Sequence, residues 1–93
     1  SWPAFSPSGQ YLVYVENGDI YRRTWTGTVW GNVTQLTNTG DNFMPCWTPN
    51  SQYIIFMSTR TGDGEIWRMR FDGSQQVNLT QHPAVDEGPV CQP

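Results

Sequence analysis

One phrase is written twice in this chain, and it limits the fold more than any other feature. Trp2-Pro3-Ala4-Phe5-Ser6-Pro7-Ser8-Gly9-Gln10-Tyr11-Leu12-Val13-Tyr14-Val15 returns as Met44-Pro45-Cys46-Trp47-Thr48-Pro49-Asn50-Ser51-Gln52-Tyr53-Ile54-Ile55-Phe56-Met57. A third statement begins at Pro89-Val90-Cys91-Gln92-Pro93. Pro3 to Pro45 and Pro7 to Pro49 are each 42 positions apart, and the third start follows the second by 44. Further on, Ile20, Arg22 and Gly27 answer to Ile66, Arg68 and Gly73 at an offset of 46, and Leu36-Thr37 to Leu79-Thr80 at 43. The offset changes only where loops take up extra residues, so the chain reads as a repeat of one supersecondary unit.

Within each unit the pattern is that of short strands and turns. Trp2 to Ser6 reads as a first strand, closed by Ser6-Pro7-Ser8-Gly9, where proline fixes φ and glycine accepts a positive one. Tyr11 to Val15 is a second strand, apolar at every position, which predicts burial on both faces. Asn17-Gly18 is a tight hairpin signal. Ile20 to Trp25 and Val33 to Thr37 supply the third and fourth strands. The second copy repeats this with Pro45 to Thr48, Tyr53 to Ser58, Glu65 to Phe71 and Gln76 to Thr80, and no stretch carries a helical apolar period. A period of about 40 to 50 residues with four strands per unit is that of a β-propeller blade. The expected fold is all-β, with one four-stranded antiparallel blade over residues 1–43, a second over 44–88 and the first strand of a further blade at 89–93.

Such a blade is apolar on both faces, and each face needs a neighbour. At about 25 cal/mol per Å², an uncovered face of roughly 400 Å² forfeits about 10 kcal/mol, comparable to the stability of a whole domain. The expectation is therefore a closed ring, formed by self-association of copies or by further blades of a longer parent chain.

Charge and cysteine content exclude some partners. The formal net charge is −3, with five Arg and Lys against eight Asp and Glu, so there is no basic stripe for nucleic acid. No apolar run approaches the length of a membrane span. Cys46 aligns with Ala4 and Val90, Cys91 with Phe5 and Trp47. The two cysteines thus point to opposite sides of their strands and read as small buried hydrophobes, not as a bridge. Asn32-Val33-Thr34 and Asn78-Leu79-Thr80 match the glycosylation acceptor, but they are not equivalent positions, and coincidence accounts for them.

The order Pro-x-aromatic-Ser/Thr-Pro-x-x-x-aromatic-aliphatic, then Ile-aromatic-Arg, then Gly, then Leu-Thr, resembles the WD-like propeller repeat of the TolB translocation protein and of propellers attached to oligopeptidases. The likeness covers nearly the whole chain. The family's Ser-Pro-Asp-Gly turn is Ser6-Pro7-Ser8-Gly9 in one copy and Thr48-Pro49-Asn50-Ser51 in the other, and Cys91 stands where an aromatic is expected. The resemblance implies a propeller module that binds proteins, in an extracytoplasmic, periplasmic setting.

Chain direction gathers the connections between second and third strands, and between blades, on one rim. That rim carries Asp41, Arg60, Asp63, His82, Asp86 and Glu87, and loops on a rigid scaffold are where partner surfaces tend to lie. Asn42 and Asp86 each stand three residues before a proline and read as turn caps. His82 has no second histidine or cysteine at ligand spacing, and neither Asp63-Gly64-Glu65 nor Asp86-Glu87 forms an alternating oxygen series, so neither a metal nor any other cofactor is expected. No nucleophile motif is present, and the chain is not expected to be an enzyme. Trp25 and Trp30 flank a glycine turn in a way that suits stacking on a sugar, with Arg22 as a hydrogen-bond partner. A lectin-like ring is thus an alternative to a protein-binding module, and the accessory propeller of a hydrolase is a further one.

Overall fold

The computed structural model describes residues 3–80, which form two four-stranded antiparallel sheets, with no helix among the described residues. The first holds β1 (Ala4–Phe5), β2 (Tyr11–Glu16), β3 (Asp19–Trp25) and β4 (Trp30–Gln35). The second holds β5 (Asn42–Trp47), β6 (Tyr53–Ser58), β7 (Glu65–Arg70) and β8 (Val77–Asn78). Strands lie side by side in chain order, as in a propeller blade. The strand expected at 89–93 lies outside the described residues.

Two strands begin earlier than their apolar patterns suggest. β4 starts at Trp30, because Trp30 pairs with Trp25 across the hairpin beyond a register shift. β5 starts at Asn42, where Asn42 and Phe43 pair with Ser58 and Met57 before the strand is broken. The break falls at Met44, which has φ 55, the bulged geometry that re-aims a strand.

Both Ser/Thr-Pro turns are built alike. Ser6 O accepts from Gly9 N at 2.9 Å and Ser6 Oγ from Tyr11 N at 3.0 Å. Thr48 O accepts from Ser51 N at 2.9 Å and Thr48 Oγ1 from Tyr53 N at 3.2 Å. Ser51 adopts φ 61, where the first copy uses Gly9 at φ 78. Its hydroxyl accepts from Ser8 N at 3.0 Å, so the departure from glycine ties one turn to the other.

Residues paired across neighbouring strands share a face, so the register fixes which side chains meet. Ala4, Val13 and Arg22 form one row of the first sheet and Val15 and Ile20 another, all turned toward the second sheet. From the second sheet come the rows Trp47, Ile54, Met69 and Phe56, Trp67. Val13, Ile20, Leu36, Trp47, Ile54, Phe56 and Met69 are the buried cluster between the sheets, with Ala4, Tyr11, Val15 and Phe71 packed at its margin. Three specific contacts cross the junction. Trp47 Nε1 donates to Ala4 O at 3.0 Å. The Tyr11 ring stacks on Trp47 at 5.6 Å and on Phe71 at 5.5 Å. Arg22 lies over both Tyr11 and Phe71 and donates from Nη1 to Phe71 O at 2.7 Å.

The outward faces differ. Phe5, Leu12, Arg23 and Val33 form a row of the first sheet turned away from the second. There Phe5, Trp25 and Val33 are exposed, and in β2 only Val13 is fully buried, so the expected two-sided burial of that strand holds on one side. In β6 the two-sided expectation is met, with Ile54, Ile55 and Phe56 all buried.

One expectation is corrected. Cys46 is in a disulfide and is not a free, merely buried thiol. Opposite directions along equivalent strands do not keep two side chains apart, because successive sheets face each other. Ala4 and Trp47 also point opposite ways, and they meet across the junction. Cys91 lies outside the described residues.

Candidate functional site

The rim that collects the loops after β2, β4 and β6 is braced from within by one polar network. Asp19, at the start of β3, accepts at Oδ1 from Gly40 N at 2.9 Å and from Thr37 Oγ1 at 3.0 Å. Thr37 in turn accepts from Ile20 N at 3.0 Å. Asn42 is fully buried; its backbone N donates to Gly18 O at 2.8 Å and its side-chain amide donates to Thr37 Oγ1 at 3.0 Å and to Thr39 Oγ1 at 2.8 Å, so it joins the loops of the rim. Gly18 itself has φ 82, and a Cβ there would fall 2.2 Å from Gly40 O, so only glycine permits the close approach of these two loops.

Arg60 enters this network from the β6–β7 loop. It donates to Ser58 Oγ at 3.1 Å, to Gln76 Oε1 at 2.8 Å and to Asn42 Oδ1 at 2.9 Å, and its guanidinium lies 4.3 Å from the centre of the Trp67 ring. Burial pulls its pKa below the ordinary value, while the carboxylates of Asp41 and Asp19 act against that shift. Asp41 is engaged as well, accepting from Thr39 Oγ1 at 2.6 Å. Of the rim residues singled out in the sequence, Asp41 and Arg60 thus converge on the brace, and Asp63 alone stands exposed on the loop between β6 and β7. His82, Asp86 and Glu87 lie outside the described residues. Sequence reasoning missed Asp19, Thr37 and Gln76. The signal for Asp19 was its place directly after the Asn17-Gly18 turn.

Trp25 and Trp30 meet edge to face at 5.1 Å, and Trp30 contacts Phe5 at 5.8 Å. All three belong to the outward face of the first sheet. Arg22 does not join them, since it projects from the opposite face into the junction between the sheets. No group of three or more metal-ligating side chains occurs among the described residues, and no helix there is long and apolar enough to cross a membrane.

No family model matches the chain. An uncharacterized protein of Agrobacterium fabrum is 33% identical over 94 residues, covering 99% of this chain and 32% of that protein. A solved structure assigned to TolB of Agrobacterium tumefaciens superposes with a TM-score of 0.66 at 33% identity, over 84% of this chain and 29% of the other. TolB from Acinetobacter baumannii gives 0.68 at 28% identity, over 84% of this chain and 20% of the other. The chain is a TolB-like β-propeller sequence. It spans about a third of the length of the curated relative it matches.

Proposed function

We propose that the chain is a non-catalytic propeller module that associates with other protein sheets, and that its rim engages a partner in an extracytoplasmic setting. The observation that carries this is the outward face of the first sheet. Phe5 is 63% exposed, Val33 46% and Trp25 39%, whereas Trp47, the counterpart of Phe5, is 5% exposed against the neighbouring sheet. A face of this kind marks an interaction site. Support for the rim is its bracing. Arg60, Asn42 and Asp19 hold three loops in place without any partner, so binding there would cost little ordering entropy. Disulfide-bonded Cys46 agrees with an oxidising compartment.

Light scattering on the folded chain tests the association. The expected mass exceeds that of one chain and falls to it in Phe5→Glu, while Asp63→Ala leaves it unchanged; a monomer for the unaltered chain would sink the reading.

A lectin-like ring is favoured by one observation, the exposed Trp25 beside Trp30. Glycan binding lost in Trp25→Ala would establish it. Arg22 has no part in it, because its guanidinium is already held between two rings.

A further inference from the structure

The geometry points to the outer edge of the first sheet as a binding site for an extended peptide of a partner protein. The peptide adds to β4 as a fifth strand and places one side chain in the cleft at the end of that edge. Its class is an uncharged segment, and the contact is with the backbone edge of β4, beyond the outward face and the braced loops of the functional reading.

A sheet edge leaves backbone groups open, and among the described residues three of the four edges are blunted. β1 and β8 are two residues long, while β5 is bulged at Met44 and carries Pro45. β4 has none of these devices. It runs six residues from Trp30 to Gln35 as the last strand of its sheet, with no proline and no charged side chain anywhere in residues 24–40. Asn32, Val33, Thr34 and Gln35 are all exposed. Register shows which groups are open. Leu36 N donates to Ile20 O at 2.8 Å, and bonded pairs alternate from there. Thr34, opposite Arg22, is therefore bonded to β3, while Gln35, opposite Tyr21, and Val33, opposite Arg23, turn their N–H and C=O away from it. Among the described residues no backbone bond reaches either from that side. Two donors and two acceptors, two residues apart, are what an added strand takes up.

The cleft supplies selectivity. Gln35 lines it together with Leu36, Thr37, Asn38 and Gln76, around a volume of about 380 Å³. Its amides are held in place: Gln35 Nε2 donates to Thr37 O at 2.8 Å, and Gln76 Nε2 to Leu36 O at 3.2 Å. A strand paired with Val33 and Gln35 thus leads into a preformed socket for an amide or hydroxyl side chain. No lining residue is charged, so a carboxylate or ammonium entering it would lose water without gaining a counter-charge. That is the ground for an uncharged peptide.

The probe is a capped peptide of about eight residues that alternates valine with asparagine or threonine. On adding it to the full chain, amide exchange is expected to slow about tenfold or more at Val33 and Gln35, and to stay unchanged at Thr34. Val33→Pro removes an outward N–H, which an edge strand tolerates, and is expected to weaken binding about tenfold or more. Asn32→Lys puts a charge on the same edge and is expected to weaken binding too, which keeps the test open if the proline variant does not fold. The same peptide methylated on its backbone nitrogens is expected not to bind. Absence of binding, equal binding of the methylated peptide, or protection confined to residues away from β4 would overturn the inference. So would protection of Val33 and Gln35 that rises with chain concentration in the absence of peptide, because the occupant would then be a second copy. Phe5→Glu, expected to abolish self-association, is expected to leave peptide binding unchanged, so failure of the edge site and failure of the functional reading are told apart.

Discussion

Trp47 and Phe5 hold one place in two copies of the same phrase, and their surroundings are opposite. Trp47 is 5% exposed, stacks on Tyr11 and donates to Ala4 O, while Phe5 is 63% exposed and touches Trp30 at the outer edge. The contrast runs along the whole face. Ile54, Phe56 and Met69 are buried, whereas their counterparts Leu12 and Tyr14 are half-buried and Arg23 is exposed. Identical local structure thus yields different energetics. A strand, turn and strand are specified by the phrase itself, but burial is specified by whether another sheet follows.

The largest expected effects break or sharpen this contrast directly. Trp47→Ala removes a ring, a stack and a hydrogen bond from a packed junction, and is expected to cost about 3–5 kcal/mol. Phe5→Ala, at the equivalent position, is expected to stay within about 0.5 kcal/mol when measured on dilute chain. Urea denaturation at low concentration checks both. Equal costs would mean that Phe5 is also covered, and the contrast would fail. Next comes the rim. Gly18→Ala adds a left-handed cost of about 1–2 kcal/mol to overpacking of about 1–3 kcal/mol, because the new Cβ meets Gly40 O. Gly9→Ala has φ 78 but open space around it, so only the conformational part is expected. Thermal midpoints of the two variants separate sterics from backbone strain.

Arginine makes the same comparison at smaller scale. Arg22 is clasped by two rings and a carbonyl of the neighbouring sheet, and Arg22→Met is expected to cost about 1.5–3 kcal/mol through the lost charged hydrogen bond. Arg68 lies over Tyr53, and Arg68→Met is expected to cost about 0.5–1 kcal/mol. A double-mutant cycle between Arg22 and Phe71 should show coupling. Its absence would leave the guanidinium as a bystander.

How much of this was legible beforehand follows from which interactions are local. The Ser/Thr-Pro turns, the Asn17-Gly18 hairpin and the eight strands could be read, because proline, positive φ and apolar runs act within a few residues. Arg60 could be placed on its loop, but not its direction. A long flexible side chain in a rim loop can face solvent as easily as Trp67, and only the packed sheets decide. Arg22 was misdirected toward Trp25 for a related reason. It is close to Trp25 in sequence, yet the register sends it to the opposite face. The cysteines show the complementary failure. Cys46 is in a disulfide, and what faces it across the sheet depends on packing that the strand pattern does not carry.

The smallest expected effect compares the two turns that close the third strands. In the first copy Thr26 Oγ1 accepts from Val29 N at 3.2 Å, an uncharged brace. In the second, Asp72 accepts from Ser74 N at 3.0 Å and from Ser74 Oγ at 2.6 Å, and these donors hold its pKa below the usual carboxylate value. A carboxylate whose folded pKa is lowered contributes stability above its unfolded pKa, and loses that contribution as pH falls through the folded one. Asp72→Asn should therefore be less stable than the unaltered chain near neutrality, by an amount kept small by solvent exposure, and the gap should close in acid below the normal carboxylate range. Thr26→Ala should show a gap that does not change with pH. Melting curves of the three proteins across that range decide the matter: a pH-independent Asp72→Asn gap would show that the turn is held by hydrogen-bond geometry, and that the charge the second copy acquired adds nothing to it.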